Sequence, residues 1–267
     1  MLLAVDVGNT ETLLGVFRDK ELAWTWRIST VRERTVDELA LLFGGFLEQE
    51  GLSFSRQVTG VVISSVVPSS TAALREMTER YFHFEPVVLE PGVKTGMPIL
   101  YDNPREVGAD RIANAVAARE KFGAPVVVVD FGTATNFDVV SPKGEYIGGV
   151  LAPGLQVSAD ALFARTARLP RVELVPPKVV VAKNTVESLQ SGLIFGMASM
   201  VDGIVERIQK EVGHGEVVAT GGLARVVIGE CITITQHEPW LTLEGLRLIF
   251  ERNTEPDPES PPADADA

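Results

Sequence analysis

The chain has 267 residues, 45% hydrophobic and 22% charged, with a net charge of −12 and one cysteine. That length supports one large domain or two ordinary ones around a sizeable core, and the balance is that of a globular protein. The charge argues against non-specific binding to nucleic acid or an anionic membrane, which needs basic patches, but not against a local nucleotide site. Cys231 alone excludes an intramolecular disulfide and fits a reducing cytoplasm, and His83, His214 and His237 are too scattered for a transition-metal cluster. The N-terminus has no basic stretch before LLAV, and no apolar run is expected to span a bilayer, so the expected location is cytoplasmic.

In chain order, residues 2–6 and 12–17 read as strands around the turn DVGNTE, and 22–28 (LAWTWRI) as a third. Apolar residues Leu39, Leu42, Phe43, Phe46 and Leu47 recur at helical spacing within 35–50, and Thr35 with Glu38 predicts a capping box. A buried strand (GVVISSVV) precedes a helix predicted over 70–81. After a loop rich in Pro and Gly, a helix starts near Gly108 and stops at Gly123. The second half then restarts: APVVVVDFGTATNFDVV as strand–turn–strand, and GEYIGGVLAPG as a strand with a Gly-rich turn. A long helix follows over 185–212, capped by Asn184 and Glu187 and stopped by Gly213. ECITIT is strand-like, VVATGG is a strand ending in glycines, and TLEGLRLIFERN is a final helix, with His237 and Trp240 in the loop before it.

Aligning Asp6 with Asp130 superposes strand–D-x-G–strand in both halves. This repeat predicts an α/β fold of two related lobes, residues 1–117 and 118–254. Residues 255–267 carry five acidic residues and four prolines and are predicted to be a disordered tail.

A tight D-x-G turn leaves convergent backbone N–H groups suited to phosphate oxygens, and glycine permits close approach. Thr10, Thr133 and Thr135 add hydroxyl donors, and Asp6 at a strand end can hold Mg²⁺. A single such turn is equally an ordinary hairpin. Two equivalent copies, with a third glycine strand end at Thr220–Gly222, favour a nucleotide cleft between lobes. Neither G-x-x-x-x-G-K-[ST] nor G-x-G-x-x-G occurs, so the phosphate site is the two-hairpin kind of the actin, sugar-kinase and heat-shock ATPase folds. In YDNPREVGADR, Asp110 and Arg111 open a predicted helix: the first is a candidate base, the second a candidate anion holder, the plain alternative being a helix-start Asp and a surface Arg. Gly192, Gly196 and Gly203 permit close packing of the long helix in the core or across a dimer, while Asp202, Glu206 and Arg207 exclude a membrane reading.

The blocks DVGNT, ISSVVP, GVKTGMPILYDNPREVGADRIANAVAA, VVDFGTATNFDVV, ALFARTARLPRVEL, KNTVESLQSG, ATGGLA and LTLEGLRLIFERN resemble type III pantothenate kinase, in that family's order, over nearly all of 1–254. The resemblance implies two actin-like (ribonuclease-H-like) lobes with mixed sheets and flanking helices, a nucleotide cleft between them, and a homodimer. It implies transfer of the ATP γ-phosphoryl to pantothenate, the first step of coenzyme A synthesis, with Mg²⁺ and K⁺ or NH₄⁺. Carried onto this chain, it makes Asp6, Val7, Gly8, Asn9, Thr10, Glu11, Thr12 and Leu13 the first ATP segment, with Asp6 toward Mg²⁺. Thr133, Gly221 and Gly222 become further ATP contacts, and Asp130 the K⁺ ligand. Tyr101, Gly108, Ala109, Asp110, Arg111 and Thr185 form the implied pantothenate site, with Asp110 as catalytic proton acceptor and Thr185 reaching across the dimer. Two positions depart from the family pattern: Glu11, a negative charge beside the triphosphate, and Asn136, where a second Thr is usual. Two other readings compete: a non-catalytic accessory or regulatory relative, and a kinase for another small alcohol. The first is opposed by intact Asp6, Asp110, Arg111 and Asp130, the second by the intact block around Tyr101–Arg111.

Overall fold

The computed structural model describes residues 1–54, 56–166 and 168–254, so the tail expectation lies outside the described residues. The first half opens with an antiparallel meander, β1 (Leu2–Val7), β2 (Glu11–Arg18) and β3 (Glu21–Ser29). Then come α1 (Val36–Gln49), β4 (Gly60–Ser65) parallel to β1, α2 (Pro68–Phe82) and β5 (Val87–Val88). A 3-10 turn (Pro104–Glu106) leads into α3 (Ala109–Phe122). The second half repeats the plan with the meander β6 (Val126–Phe131), β7 (Ala134–Val140) and β8 (Tyr146–Pro153). It continues with α4 (Leu155–Arg165), α5 (Thr185–Val212), β9 (Glu216–Thr220), α6 (Ala224–Val227), β10 (Gln236–His237) and α7 (Leu241–Thr254).

Among the described residues the strands form two five-stranded sheets, β3-β2-β1-β4-β5 and β10-β9-β6-β7-β8. Each is a mixed sheet in which the Asp-bearing strand pairs antiparallel with its hairpin partner and parallel with the next crossover strand. The internal repeat expected from Asp6 and Asp130 is therefore a repeat of topology. Both aspartates are the fifth of six residues in their strands.

The central strands read as unbroken Val/Ile/Leu runs because both of their faces are covered. α1 and α2 cover the outer face of the first sheet, and α5 with α6 covers that of the second. α3 and α7 fill the layer between, where Ala113, Val116, Leu243 and Leu246 pack against Ala4, Val62, Val128 and Val218. α7 runs along α3 and touches β1 and β4, and the division expected at 117/118 falls inside α3. At Gly245 a Cβ would stand 2.0 Å from the Ala113 carbonyl oxygen, so the α3–α7 approach requires glycine.

Local signals operate as read: Thr35 accepts from the Glu38 amide while Glu38 accepts from the Thr35 amide, and Asn184 accepts from Glu187. α5 is long and apolar enough by composition to cross a membrane, against the expectation that no segment would be. Its apolar stripe, including Leu193, Ile194, Val201 and Val205, is instead buried against the second sheet. ECITIT is not a strand. The Asp202 carboxylate accepts the amides of Ile232 and Thr233 at 2.9–3.0 Å, diverting them from any ladder, and pairing resumes only at Gln236–His237. His237 therefore lies in a strand rather than a loop. α4 was not anticipated, since its apolar residues lie largely exposed and its periodicity is weak.

Candidate active site

Because side chains alternate along a strand, Leu2, Ala4 and Asp6 share the inner face of the first sheet with Val62 and Ser64. Val126, Val128 and Asp130 share the inner face of the second with Asn136, Asp138, Val140 and Thr220. The polar groups of the inner faces collect toward the turn ends of the strands, with Asp138 one pair further in, opposite Val128. The N-terminus of α3 lies at the same end, so the two sheet ends and one helix start converge.

The two D-x-G turns meet there. Thr10 Oγ1 and Thr133 Oγ1 stand 3.3 Å apart across the lobes. The Gly8 amide donates to the Glu11 carbonyl at 2.9 Å and the Gly132 amide to Ala134 at 3.0 Å, closing each turn. Asn9 and Thr10 are exposed at the tip, Asn9 Oδ1 accepting from Arg32. Val7 and Thr12 point to the outer face, where Thr12 bonds Thr30, so only their backbones face the cleft. Leu13 packs into the central layer. Glu11 pairs with Arg27 of β3.

Gly221, at φ +95°, packs on the second turn: a Cβ there would meet Asp130 Oδ1 at 2.4 Å and the Phe131 backbone at 2.7 Å. Gly222 faces Arg27.

At the helix start, Gly108 is the N-cap and Ala109 the first helical residue. Asp110 folds back so that its Oδ1 accepts the Arg111 amide at 2.9 Å, and a Cβ on Gly108 would lie 2.4 Å from that oxygen. Arg111 is buried, 7% exposed, and its Nε donates to Asp138 Oδ1 at 2.7 Å. The Tyr146 hydroxyl donates to the same oxygen at 2.9 Å. Tyr101 lies against Gly148 and Tyr146, its ring centroid 6.4 Å from that of Tyr146. Asn114, one turn into α3, donates to Asp130 Oδ2 at 3.3 Å and accepts from Thr242 of α7 at 2.7 Å. Thr185 stands apart. It begins α5, on the opposite face of the second sheet, and no hydrogen bond joins it to this cluster among the described residues.

The electrostatics are those of carboxylates short of positive charge. Desolvation raises Asp6, with Asp110 and Asp130 adding repulsion. It also raises Asp110, against the opposing Arg111 amide and guanidinium. Burial pushes Asp130 up to about 7, reinforced by Asp110 and Asp138, and Asp138 to about 6 despite Arg111. For Arg111 burial works against the charge, but Asp138 and Tyr146 outweigh it and the guanidinium is held more firmly protonated.

The profile of the type III pantothenate kinase family matches residues 2–207. The chain belongs to that family. It is 54% identical over 261 residues to a type III pantothenate kinase of Streptomyces griseus subsp. griseus, covering 95% of this chain and 98% of that one. It is 55% identical over 254 residues to one of Myxococcus xanthus, covering 95% and 99%. Among solved structures it superposes on a Campylobacter jejuni protein described as a Baf family transcriptional activator, with TM-score 0.57, 20% identity, and coverage of 94% and 98%. It also superposes on component A of the (R)-2-hydroxyglutaryl-CoA dehydratase of Acidaminococcus fermentans, with TM-score 0.55, 15% identity, and coverage of 94% and 96%. At these identities the two structures speak for the two-lobed fold alone.

Of the residues expected from sequence, Asp6, Gly8, Asn9, Thr10, Thr133, Asp110, Arg111, Asp130, Gly221 and Gly222 gather at this junction. Sequence reading missed Asp138, Tyr146, Asn114 and Arg27. Asp138 did leave a signal: a carboxylate inside the apolar run NFDVV, eight residues after Asp130 and on the same sheet face.

Proposed function

We propose that the chain phosphorylates pantothenate with ATP, giving 4′-phosphopantothenate and ADP. The observation that carries this is the convergence of the two D-x-G turns with Asp110 and Arg111 at the start of α3. In this reading the triphosphate lies between the turns, on the amides and hydroxyls of Gly8–Thr10 and Thr133, with the adenosine toward Gly221 and Gly222. Pantothenate lies at Tyr101 and Gly108–Arg111, its carboxylate on the Arg111 guanidinium. The hydroxyl oxygen attacks the γ-phosphorus, the bond to the β-bridging oxygen breaks, and ADP departs. Asp110 takes the hydroxyl proton, and its raised pKa suits it to that exchange. The free amides and positive dipole end of α3 favour negative charge at this point.

The junction suits a divalent cation. Its donors are hard oxygens, burial and mutual repulsion raise Asp6 and Asp130, and among the described residues Asn136 Oδ1 and Asp138 Oδ2 are buried without a hydrogen-bond partner. Among the described residues no three side chains form a ready-made chelate. That matches Mg²⁺, which takes one or two carboxylates and completes its shell with water and substrate phosphate. Asp6 would hold it, and a cation held there would supply the positive charge that phosphoryl transfer needs. Asp130, with Asn136 beside it, would hold K⁺ or NH₄⁺.

We further read the active form as a homodimer. Val150, Leu151, Val157, Leu162 and Phe163 are exposed on the edge strand β8 and on α4 next to it, and Thr185 would serve the partner's site.

The deciding experiment is ADP release with pantothenate as acceptor, in Na⁺, K⁺ and NH₄⁺ buffers. Pantothenate-dependent turnover stimulated by K⁺ or NH₄⁺ is expected. No such turnover in any salt overturns the reading, and a fully active monomer in sedimentation overturns the role of Thr185.

A further inference from the structure

We infer that Asp138 and Tyr146 are positioning residues for substrate recognition. Together they lock the Arg111 side chain through Nε and leave its two terminal nitrogens for a bidentate anion. The inference rests on the reading of Arg111 as the substrate's carboxylate holder.

Four observations carry it. First, the Asp138 carboxylate is fully buried, and its Oδ1 takes both available donors, Arg111 Nε at 2.7 Å and the Tyr146 hydroxyl at 2.9 Å. Second, among the described residues Nη1 and Nη2 of Arg111 meet no protein acceptor, so the fork that matches a carboxylate or phosphate is unspent. Third, the fold packs closely around the anchor. Tyr146 is fully buried, and a Cβ on Gly149 would stand 3.3 Å from Arg111 Nη2 and 1.7 Å from the Phe137 carbonyl oxygen. The guanidinium thus slides past a glycine that no other residue could replace. Fourth, the network shares no hydrogen bond with the Asp110 carboxylate, which accepts from the Arg111 amide and not from its side chain.

A free arginine side chain would have to be ordered each time substrate bound, at a cost in affinity. Here the ordering is built into the fold. The two anchors come from β7 and β8 of the second lobe, whereas the helix carrying Arg111 lies between the lobes. The specificity conferred is for a planar or tetrahedral oxyanion approached end-on by two N–H groups, which a lysine ammonium does not reproduce.

The test is a double-mutant cycle on the full chain. Asp138→Asn keeps the shape but removes the charge; Arg111→Lys removes the fork. We expect Asp138→Asn to raise KM for pantothenate tenfold or more, to change KM for ATP less than twofold, and to add less than twofold on the Arg111→Lys background. Parallel rises in both KM values, or losses that multiply in the double variant, overturn the inference and leave Asp138 a core residue only. If Asp138→Asn does not fold, Tyr146→Phe retains the buried ring and is judged by the same criteria, with a severalfold rise expected. If the wild-type chain shows no pantothenate-dependent turnover, the kinase reading falls. The network is then judged by calorimetric binding of pantothenate: tenfold weakening in Asp138→Asn supports it, and unchanged or absent binding overturns it.

Discussion

Glu11 and Arg27 form an ion pair, Oε2 to Nη1 at 2.5 Å, on the face of the first sheet that looks toward the second lobe. Arg27 also approaches Gly222, where a Cβ would stand 3.1 Å from Nη1. In the proposed reading a carboxylate beside the triphosphate would weaken ATP binding, and the ion pair would offset that charge. Both side chains are about half exposed, so the pair contributes little to stability, roughly 0–1 kcal/mol. Its weight falls on binding. Arg27→Gln should raise KM for ATP severalfold, and the Arg27→Gln/Glu11→Gln double variant should recover most of that loss. Steady-state kinetics at fixed ionic strength check it, and an unchanged KM in Arg27→Gln would show the pair to be mere surface charge.

Asp110 supplies a second prediction. Asp110→Asn retains the hydrogen-bond acceptor for the Arg111 amide but cannot take a proton. The fold should survive, with an unaltered circular dichroism spectrum, and kcat should drop by about 10²–10⁴. Near-normal kcat would reassign the proton acceptor.

Gly221 and Gly222 separate backbone need from mere proximity. Gly221 has φ +95° and no room for a Cβ between Asp130 and the Phe131 backbone. Gly222→Ala would meet only the movable end of Arg27. Gly221→Ala should therefore cost about 1–3 kcal/mol and lower Tm by roughly 3–10 °C, while Gly222→Ala stays within about 2 °C. Equal thermal shifts would refute the distinction.

How much of this was legible beforehand depended on the range of the interaction. The Thr35–Glu38 box, the Asn184 cap and the Gly213 stop lie within a few residues, and each acted where it was read. The repeat of D-x-G between apolar strands located both turns, because strand alternation fixes which face each aspartate occupies. What escaped was set by distance in sequence. Asp202 captures amides 30 and 31 residues away and abolishes the strand that ECITIT suggests. Arg111 meets Asp138 only because β7 returns beneath α3, 27 residues on. Arg27 reaches the second lobe through tertiary packing that no local pattern encodes.

The buried carboxylates give the last prediction. In the unfolded chain an aspartate loses its proton near pH 4, whereas in the fold burial, then Asp110 and Asp138, raise Asp130 to about 7. Between those values the folded state binds the proton that the unfolded state has released. The slope of unfolding free energy against pH is therefore negative there, up to about 1.4 kcal/mol per pH unit for the group, and flattens above pH 7. Asp138, raised to about 6, acts in the same direction over a narrower window. The ligand-free protein should accordingly lose stability from pH 5.5 to 7.5. Asp130→Asn, with no proton to lose, should show a shallower decline and melt above the wild type at pH 7.5. Mg²⁺ with ATP should recover wild-type stability at pH 7.5 by supplying the positive charge that the cluster lacks. Thermal unfolding of both proteins at the two pH values decides the matter. Parallel curves would mean that Asp130 is ionised in the fold at no cost, and the cluster would then lack the charge deficit that fits it to a cation.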